Sequence, residues 1–170
     1  TLAKVIEGFA RSRLVAQISE NLDPRQYARE GHSTTDALIY ILQAIHEATD
    51  SGNCGARMFF ADYSKDFDLV DHSIHLSELA CFDIDTVLIN WIRAFLTERS
   101  KAVTIENSLS DWKSPRGGIP QGTKLGVIFY AVMTNNLLRE WHLRIKFVDD
   151  TTSLEILPRN GISLLNVTVN

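Results

Sequence analysis

Three aspartates stand where carboxylates could do chemistry. Asp62 follows the apolar run "MFFA", and Asp149 and Asp150 sit side by side in "KFVDD", between two stretches that alternate polar and apolar residues. Adjacent like charges repel, and a buried carboxylate needs a compensating cation. The doublet therefore either lies in a wet turn or holds metal ions. Clustered carboxylate oxygens suit Mg²⁺ or Mn²⁺. Two such ions about 4 Å apart clamp the attacking and leaving oxygens of an in-line phosphoryl displacement. If the strand that ends at Asp62 neighbours the hairpin that carries Asp149 at its tip, the carboxylates converge, and nucleotidyl transfer is the chemistry to test. The plainer reading of Asp62 is a helix-capping or turn acid.

Other chemistries fit less well. A calcium-binding EF-hand loop opening at Asp66 fails, because Val70, Asp71 and Ser77 stand where the loop needs an acid or Asn, a glycine and a closing Glu. An aspartyl-phosphate motif would want a second Asp two residues after Asp62, where Ser64 stands. The loop "GGIPQG" leads towards a helix, so its backbone amides could meet an anion, and Gln121 could hydrogen-bond a planar substrate edge. An ordinary Pro/Gly loop is the competing reading. His72 and His75 have HxxH spacing without a Cys or Glu at zinc-site distance, and a solvated helix start is expected there. Cys54 and Cys81 form neither a disulfide framework nor a C-x-x-C pair, which points to a reduced, intracellular compartment.

The elements that must position these residues are legible from periodicity. Residues 3–21 read as a helix with Val5, Ile6, Phe9, Leu14, Ile18 and Leu22 on its apolar stripe, ended by Asp23 before Pro24. "STTDALIYILQAIHEA" is a second helix, capped by Ser33 or Thr34, with Leu38, Leu42 and Ile45 on one face. "ARMFFADY" reads as a buried strand, with Met58, Phe60 and Asp62 pointing to one side. Helices are expected over 72–82 and 85–98, the second with a core stripe of Leu88, Trp91 and Phe95, and "KAVTI" is a short strand. "DWKSPRGGIPQG" is loop, "TKLGVIFYAVMTNNLLREW" a long apolar helix opening at Thr123, and "LRIKFVDD" with "TTSLEIL" a hairpin. Strands and helices mix without strict alternation, so the class is α+β.

The 170 residues amount to about one domain. No apolar run reaches the roughly 18 residues of a membrane span, and no membrane association is expected. The net charge of -4 is unevenly spread: Arg99 to Lys146 holds eight Lys/Arg against three Asp/Glu, while the remainder holds nine against eighteen. A basic stretch bordered by acidic ones suits a phosphate-binding surface beside a carboxylate site. The chain opens on Thr1 and closes on "GISLLNVTVN", which looks like the start of a further element, so a piece of a longer protein is expected.

Taken in order, "FADYSKDFDLVDH", "GGIPQGTKLG" and "FVDD" resemble the three core motifs of reverse transcriptases from non-LTR (LINE-type) retrotransposons, and "QYAREGHSTTDAL" resembles the fingers segment that precedes them. The resemblance runs from about Leu2 to Asn170. It implies a right-hand polymerase fold with a small, mainly antiparallel palm sheet packed on helices. Residues 1–56 would be fingers-like helices and 57–170 palm, with no thumb. It implies an RNA-directed DNA polymerase that works with an RNA template, a DNA primer and deoxynucleoside triphosphates, in the nucleus or cytoplasm. Asp62, Asp149 and Asp150 would be the catalytic acids and the ligands of two Mg²⁺ ions, with Mn²⁺ as a substitute. Backbone amides around Lys65 and Asp66 would face the triphosphate. Phe67 would be an aromatic gate against the ribose 2′-hydroxyl, although a core aromatic fits the pattern equally well. Gln121 and Gly122 would support the nascent base pair and template, and Arg29 would approach the triphosphate from the fingers.

The chain departs from that pattern at Asp66, where the family usually has a small residue; unit charges of like sign 4 Å apart repel by about 4 kcal/mol at an effective dielectric of 20. Val148 replaces the common Ala before the doublet, and Val127 the common Pro after "LG". An inactive retroelement remnant that at most binds nucleic acid or protein is the alternative to an enzyme.

Overall fold

The computed structural model describes residues 2–50, 52, 54–63 and 67–165. In chain order the elements are α1 (Leu2–Ile18), α2 (Thr34–Asp50), β1 (Cys54–Ala61), α3 (His72–Ala80), α4 (Thr86–Thr97), β2 (Thr104–Ile105), β3 (Ser108–Leu109), α5 (Gly126–Met133), β4 (Arg144–Phe147) and β5 (Asp150–Pro158). They gather into two compact units, each assembled from two separate stretches: Thr1–Leu22 with Lys65–Thr134, and Asp23–Ser64 with Asn135–Asn170. The class is α+β.

The first unit is helical. Asp85 caps α4 by accepting the Leu88 N–H at 2.9 Å, and Leu88, Ile92 and Leu96 then recur every four residues on the buried face. Asp71 does the same for α3, accepting from the backbone of Ser73 and Ile74. Helix α5 is apolar almost all round and buried almost all round, so α1, α3 and α4 pack about it through Leu14, Ile18, Leu79, Ile92 and Phe129. Trp91 and Phe95 stack with centroids 5.3 Å apart and pack against that core, as the stripe on α4 suggested.

Four expectations for this unit change. The N-terminal half of α1 does not join the core: Val5, Ile6 and Phe9 are exposed, Phe9 by 74%. Helix α5 starts at Gly126 rather than Thr123, because Gly122 takes a φ of 71° and the Lys124 N–H is drawn off by the Glu7 carboxylate at 2.9 Å. It also ends early, at Met133, and Leu138 at a φ of 51° cannot continue a right-handed helix. "KAVTI" shrinks to Thr104–Ile105, with Lys101 making a lone antiparallel bridge to Lys113. The HxxH pair is buried, not solvated: a His72 ring nitrogen lies 2.8 Å from the Gly118 carbonyl oxygen, and His75 packs edge-on to Phe129 at 4.9 Å.

The second unit is a three-stranded antiparallel sheet in the order β1-β5-β4, with α2 against it. Ser33 and Asp36 form a reciprocal cap at the start of α2, the Ser33 N–H reaching the Asp36 carboxylate at 2.7 Å and the Asp36 N–H reaching the Ser33 hydroxyl at 3.2 Å. Ala37 and Ile41, with Tyr40 and Ile45 beside them, meet Tyr27, Ile145, Met58 and Phe147. Leu38 and Leu42, expected to face inward, point to solvent; the helix is turned by one residue from the expected stripe. The outer edge of β4 is covered by residues 25–27, where Lys146 donates its N–H to the Arg25 carbonyl at 2.9 Å and Tyr27 donates to the Lys146 carbonyl at 2.8 Å. Strand β1 is the other edge. It was expected to be buried, yet most of it is exposed, Phe60 by 68%, because only β5 flanks it among the described residues.

Candidate active site

The doublet sits at the turn between β4 and β5. Phe147 pairs with Asp150, leaving Val148 and Asp149 as a two-residue loop. Val148 has a φ of 57° and Asp149 is not among the positive-φ residues, the pattern of a type II′ hairpin turn. Glycine normally fills that first position. A β-branched residue there costs about 1–3 kcal/mol and persists only where its surroundings hold it. One holding contact is visible: the Val148 N–H points to Oε1 of the buried Gln26 at 3.4 Å, an oxygen that also accepts the Ala28 N–H at 3.0 Å.

The β1–β5 register brings the third acid to the same end of the sheet. Ala61 pairs with Thr151, so Asp62 and Asp150 each lie one residue beyond that last pair, on the side where the hairpin turns. Continued by one step, the register makes them partners, and directly opposed residues of an antiparallel pair share a face. Asp62 and Asp150 are exposed and Asp149 is half-buried.

Beneath the turn lies a charge cluster that the sequence reading missed. Asp23 and Lys146 are both 0% exposed, and the Lys146 ammonium lies 2.7 Å from Asp23 Oδ2. Arg144 donates to the same carboxylate twice, from Nε at 2.8 Å and Nη2 at 2.7 Å. Asn135 completes the cluster, its Oδ1 accepting the Asp23 N–H at 2.6 Å and its carbonyl accepting from Lys146 at 3.1 Å. Burial by itself pushes the Asp23 carboxyl up, but the hydrogen bonds from Arg144, Lys146 and the Arg25 backbone outweigh it and hold the group down at about 2. Asp23 was read as a helix terminator and Lys146 as the polar beat of a strand. The available clue was a lysine flanked by Ile145 and Phe147 just before the turn, where a buried cation demands an acid from elsewhere in the chain.

Lys65 and Asp66 fall outside the described residues. Phe67 is half-buried, its ring 5.2 Å from that of Tyr130, and it packs against the helical core. Gln121 and Gly122 are exposed, and the Gly122 carbonyl accepts from the Lys4 ammonium. Arg29 is half-buried, and its Nε has no hydrogen-bond partner among the described residues. The loop "GGIPQG" is stitched to the segment that follows Asp66: Gly118 donates to the Val70 carbonyl at 2.8 Å and Ile119 to that of Phe67 at 2.6 Å. Gly118 has a φ of 88°, and a Cβ there would come within 3.0 Å of the Asp68 carbonyl and 3.1 Å of that of Phe67, so glycine is required.

Among the described residues no group of three His, Cys, Asp or Glu is arranged to hold a metal ion. The donor chemistry of Asp62, Asp149 and Asp150 nonetheless fits a hard divalent cation, and the register gathers the three at one end of one sheet.

The antiparallel sheet thus carries carboxylates at a turn and a strand end, and the helical unit carries a glycine-rich loop. Residues 1–156 match the reverse transcriptase (RNA-dependent DNA polymerase) family, and the chain belongs to it. It is similar to a Drosophila melanogaster protein described as a probable RNA-directed DNA polymerase from transposon BS, with 30% identity over 141 residues. That match takes in 81% of this chain and 15% of the relative's length. The motif resemblance to retrotransposon reverse transcriptases agrees with both matches. The fold is similar to telomerase from Candida tropicalis in complex with a fragment of telomeric RNA, with a TM-score of 0.69 at 15% identity, covering 99% of this chain and 30% of that one. Telomerase from Candida albicans, in the same kind of complex, gives 0.64 at 14% identity, covering 90% and 30%. At such identities the likeness shows the fold alone.

Proposed function

We propose that this chain carries the catalytic acids of an RNA-directed DNA polymerase. Asp62, Asp149 and Asp150 hold two divalent cations, Mg²⁺ or Mn²⁺, at the end of the sheet. When bound, such ions supply charge stabilisation to the attacking and leaving oxygens of phosphoryl transfer. The observation that supports the reading best is the β1–β5 register, which sets Asp62 opposite the doublet although 86 residues of sequence separate it from Asp149. Gln26, Asp23 and Lys146 hold the turn in the conformation that presents the doublet. Phe67 screens the sugar of the incoming nucleotide, and Lys65, Asp66 and Arg29 are assigned to its triphosphate. Gln121 and Gly122 support the template base pair. Residues 1–56 serve as fingers and 57–170 as palm, and the partners are an RNA template, a DNA primer and deoxynucleoside triphosphates.

Extension of a labelled DNA primer on an RNA template, in the presence of Mg²⁺, tests this. The chain should extend the primer and Asp149→Ala should not. Extension that survives Asp149→Ala would remove these residues from the chemistry. A parent that binds template and primer without extending would favour the inactive remnant.

A further inference from the structure

Helix α1 puts a carboxylate where its buried stripe calls for an apolar side chain. The buried residues of α1 are Glu7, Leu14 and Ile18, which are spaced to share one helical face. A leucine at position 7 would bury apolar surface without a desolvation cost, whereas a carboxylate there is costly unless it is hydrogen-bonded. Glu7 is 7% exposed, and its Oε2 accepts the Lys124 N–H at 2.9 Å and lies 3.6 Å from the Lys4 ammonium. Lys4 in turn donates to the Gly122 carbonyl. A Cβ at Gly8 would stand 3.3 Å from the Lys124 ammonium, so that side chain lies close over the helix. Positions 4, 7 and 8 are neighbours on one helical face, and all three meet residues 122–124.

The loop from Gly118 to Lys124 is therefore pinned at both ends. Upstream, Gly118 and Ile119 are tied to Val70 and Phe67 through backbone, and a His72 ring nitrogen lies 2.8 Å from the Gly118 carbonyl oxygen. Downstream the pin is Glu7, since Leu125, the N-cap of α5, makes no side-chain cap hydrogen bond. Between the pins Gln121 and Gly122 are exposed, and nothing lies within 4 Å of where a Gly122 Cβ would stand. Packing does not set the tip of the loop; the pins and the Lys4 contact do.

We infer that Glu7 is a positioning residue for the polymerase reaction: by accepting the Lys124 N–H it fixes Gln121 and Gly122 where they meet the nascent base pair. Glu7 acts through the loop and not on the substrate. This role rests on the reading of Gln121 and Gly122 under the proposed function; the hold of Glu7 on the loop does not.

Two substitutions separate the hydrogen bond from the bulk of the side chain. Glu7→Leu fills the site and strands the Lys124 N–H, while Glu7→Gln keeps an acceptor oxygen. Amide hydrogen exchange, followed in EDTA without nucleic acid, should be about tenfold faster at Lys124 in Glu7→Leu, at the parent's rate in Glu7→Gln, and unchanged at Phe129 in both. In Mg²⁺-dependent primer extension, Glu7→Leu should raise the KM for the templated deoxynucleotide about tenfold with kcat unchanged, and Glu7→Gln should restore the KM. Gln17→Leu cuts a different tie of α1, the hydrogen bonds of 3.0 and 2.9 Å that its amide exchanges with Asp85, and should lower the melting temperature without moving that KM. Unchanged exchange at Lys124 in folded Glu7→Leu would overturn the hold on the loop. Faster exchange with an unchanged KM, or an equal rise of KM in Gln17→Leu, would overturn the positioning role. A parent chain that extends no primer would overturn the polymerase reading and this role with it, and exchange at Lys124 would then decide the hold of Glu7 by itself.

Discussion

The Asp23 carboxylate and the Lys146 ammonium meet at 2.7 Å with neither side chain exposed to solvent, three residues before the Asp149 turn acid. A buried pair contributes little net stability over an apolar pair, but removing one partner strands the other charge and costs about 3–5 kcal/mol. Asp23→Leu, which strands both Lys146 and Arg144, should lower the unfolding free energy by that amount in urea titration. A loss below about 1 kcal/mol would mean that the pair is not closed in solution.

The same carboxylate sets an acid limit. Its value is depressed from 3.8 to about 2, so the stability it contributes is present above the unfolded value and is lost as pH falls through the folded one. Between roughly pH 4 and pH 2 the chain should lose about 2 kcal/mol from this group. Asp23→Asn should remove that segment of the pH–stability curve.

His75 acts in a higher window. Burial pushes its imidazole down from 6.5 to about 4, and neither ring nitrogen has a hydrogen-bond partner among the described residues. A depressed histidine contributes stability that is complete above the unfolded value and lost as pH falls towards the folded one. Melting measured from pH 7 to pH 4 should show a loss of about 3 kcal/mol that His75→Leu abolishes. Because the buried nitrogens are unsatisfied, that variant should be neutral or stabilising at pH 7.

Gly118→Ala forces a side chain into a left-handed position and against two carbonyl oxygens. It should destabilise by about 1–3 kcal/mol. Gly31→Ala has a φ of 78° but open space around its Cβ, and it should cost less. Equal costs at the two positions would mean that the loop does not press on Phe67 and Asp68.

Phe67→Ala should admit ribonucleotides that the parent excludes, read as the ratio of ribonucleotide to deoxynucleotide incorporation. No change in that ratio would leave Phe67 as a packing residue against Tyr130.

The elements were legible where local chemistry decides. Ser33 announces its helix, and alternation around "KFVDD" announces the hairpin, because caps and strand periods are local effects. The convergence of Asp62 and the doublet could be posed from sequence only as a conditional, since strand order depends on contacts 90 residues apart, between Ala61 and Thr151 at the strand ends. Helical phase was less legible. Leu38 and Phe9 carry the hydrophobicity of core residues but lie on exposed faces, and nothing in their own periodicity distinguishes the buried stripe. For the Asp23–Lys146 pair the sequence offered a clue to the cation, Lys146 between Ile145 and Phe147, but not to its partner, which only the sheet brings to it.

The central claim is that Asp62 shares its cations with Asp149 and Asp150. Calorimetric titration of the chain with Mn²⁺ tests it directly. Saturable binding should weaken in Asp62→Asn and in Asp149→Asn alike, and the double variant should lose little more than either single one. Mn²⁺ binding as tight in Asp62→Asn as in the parent, with only the doublet variants impaired, would contradict the claim.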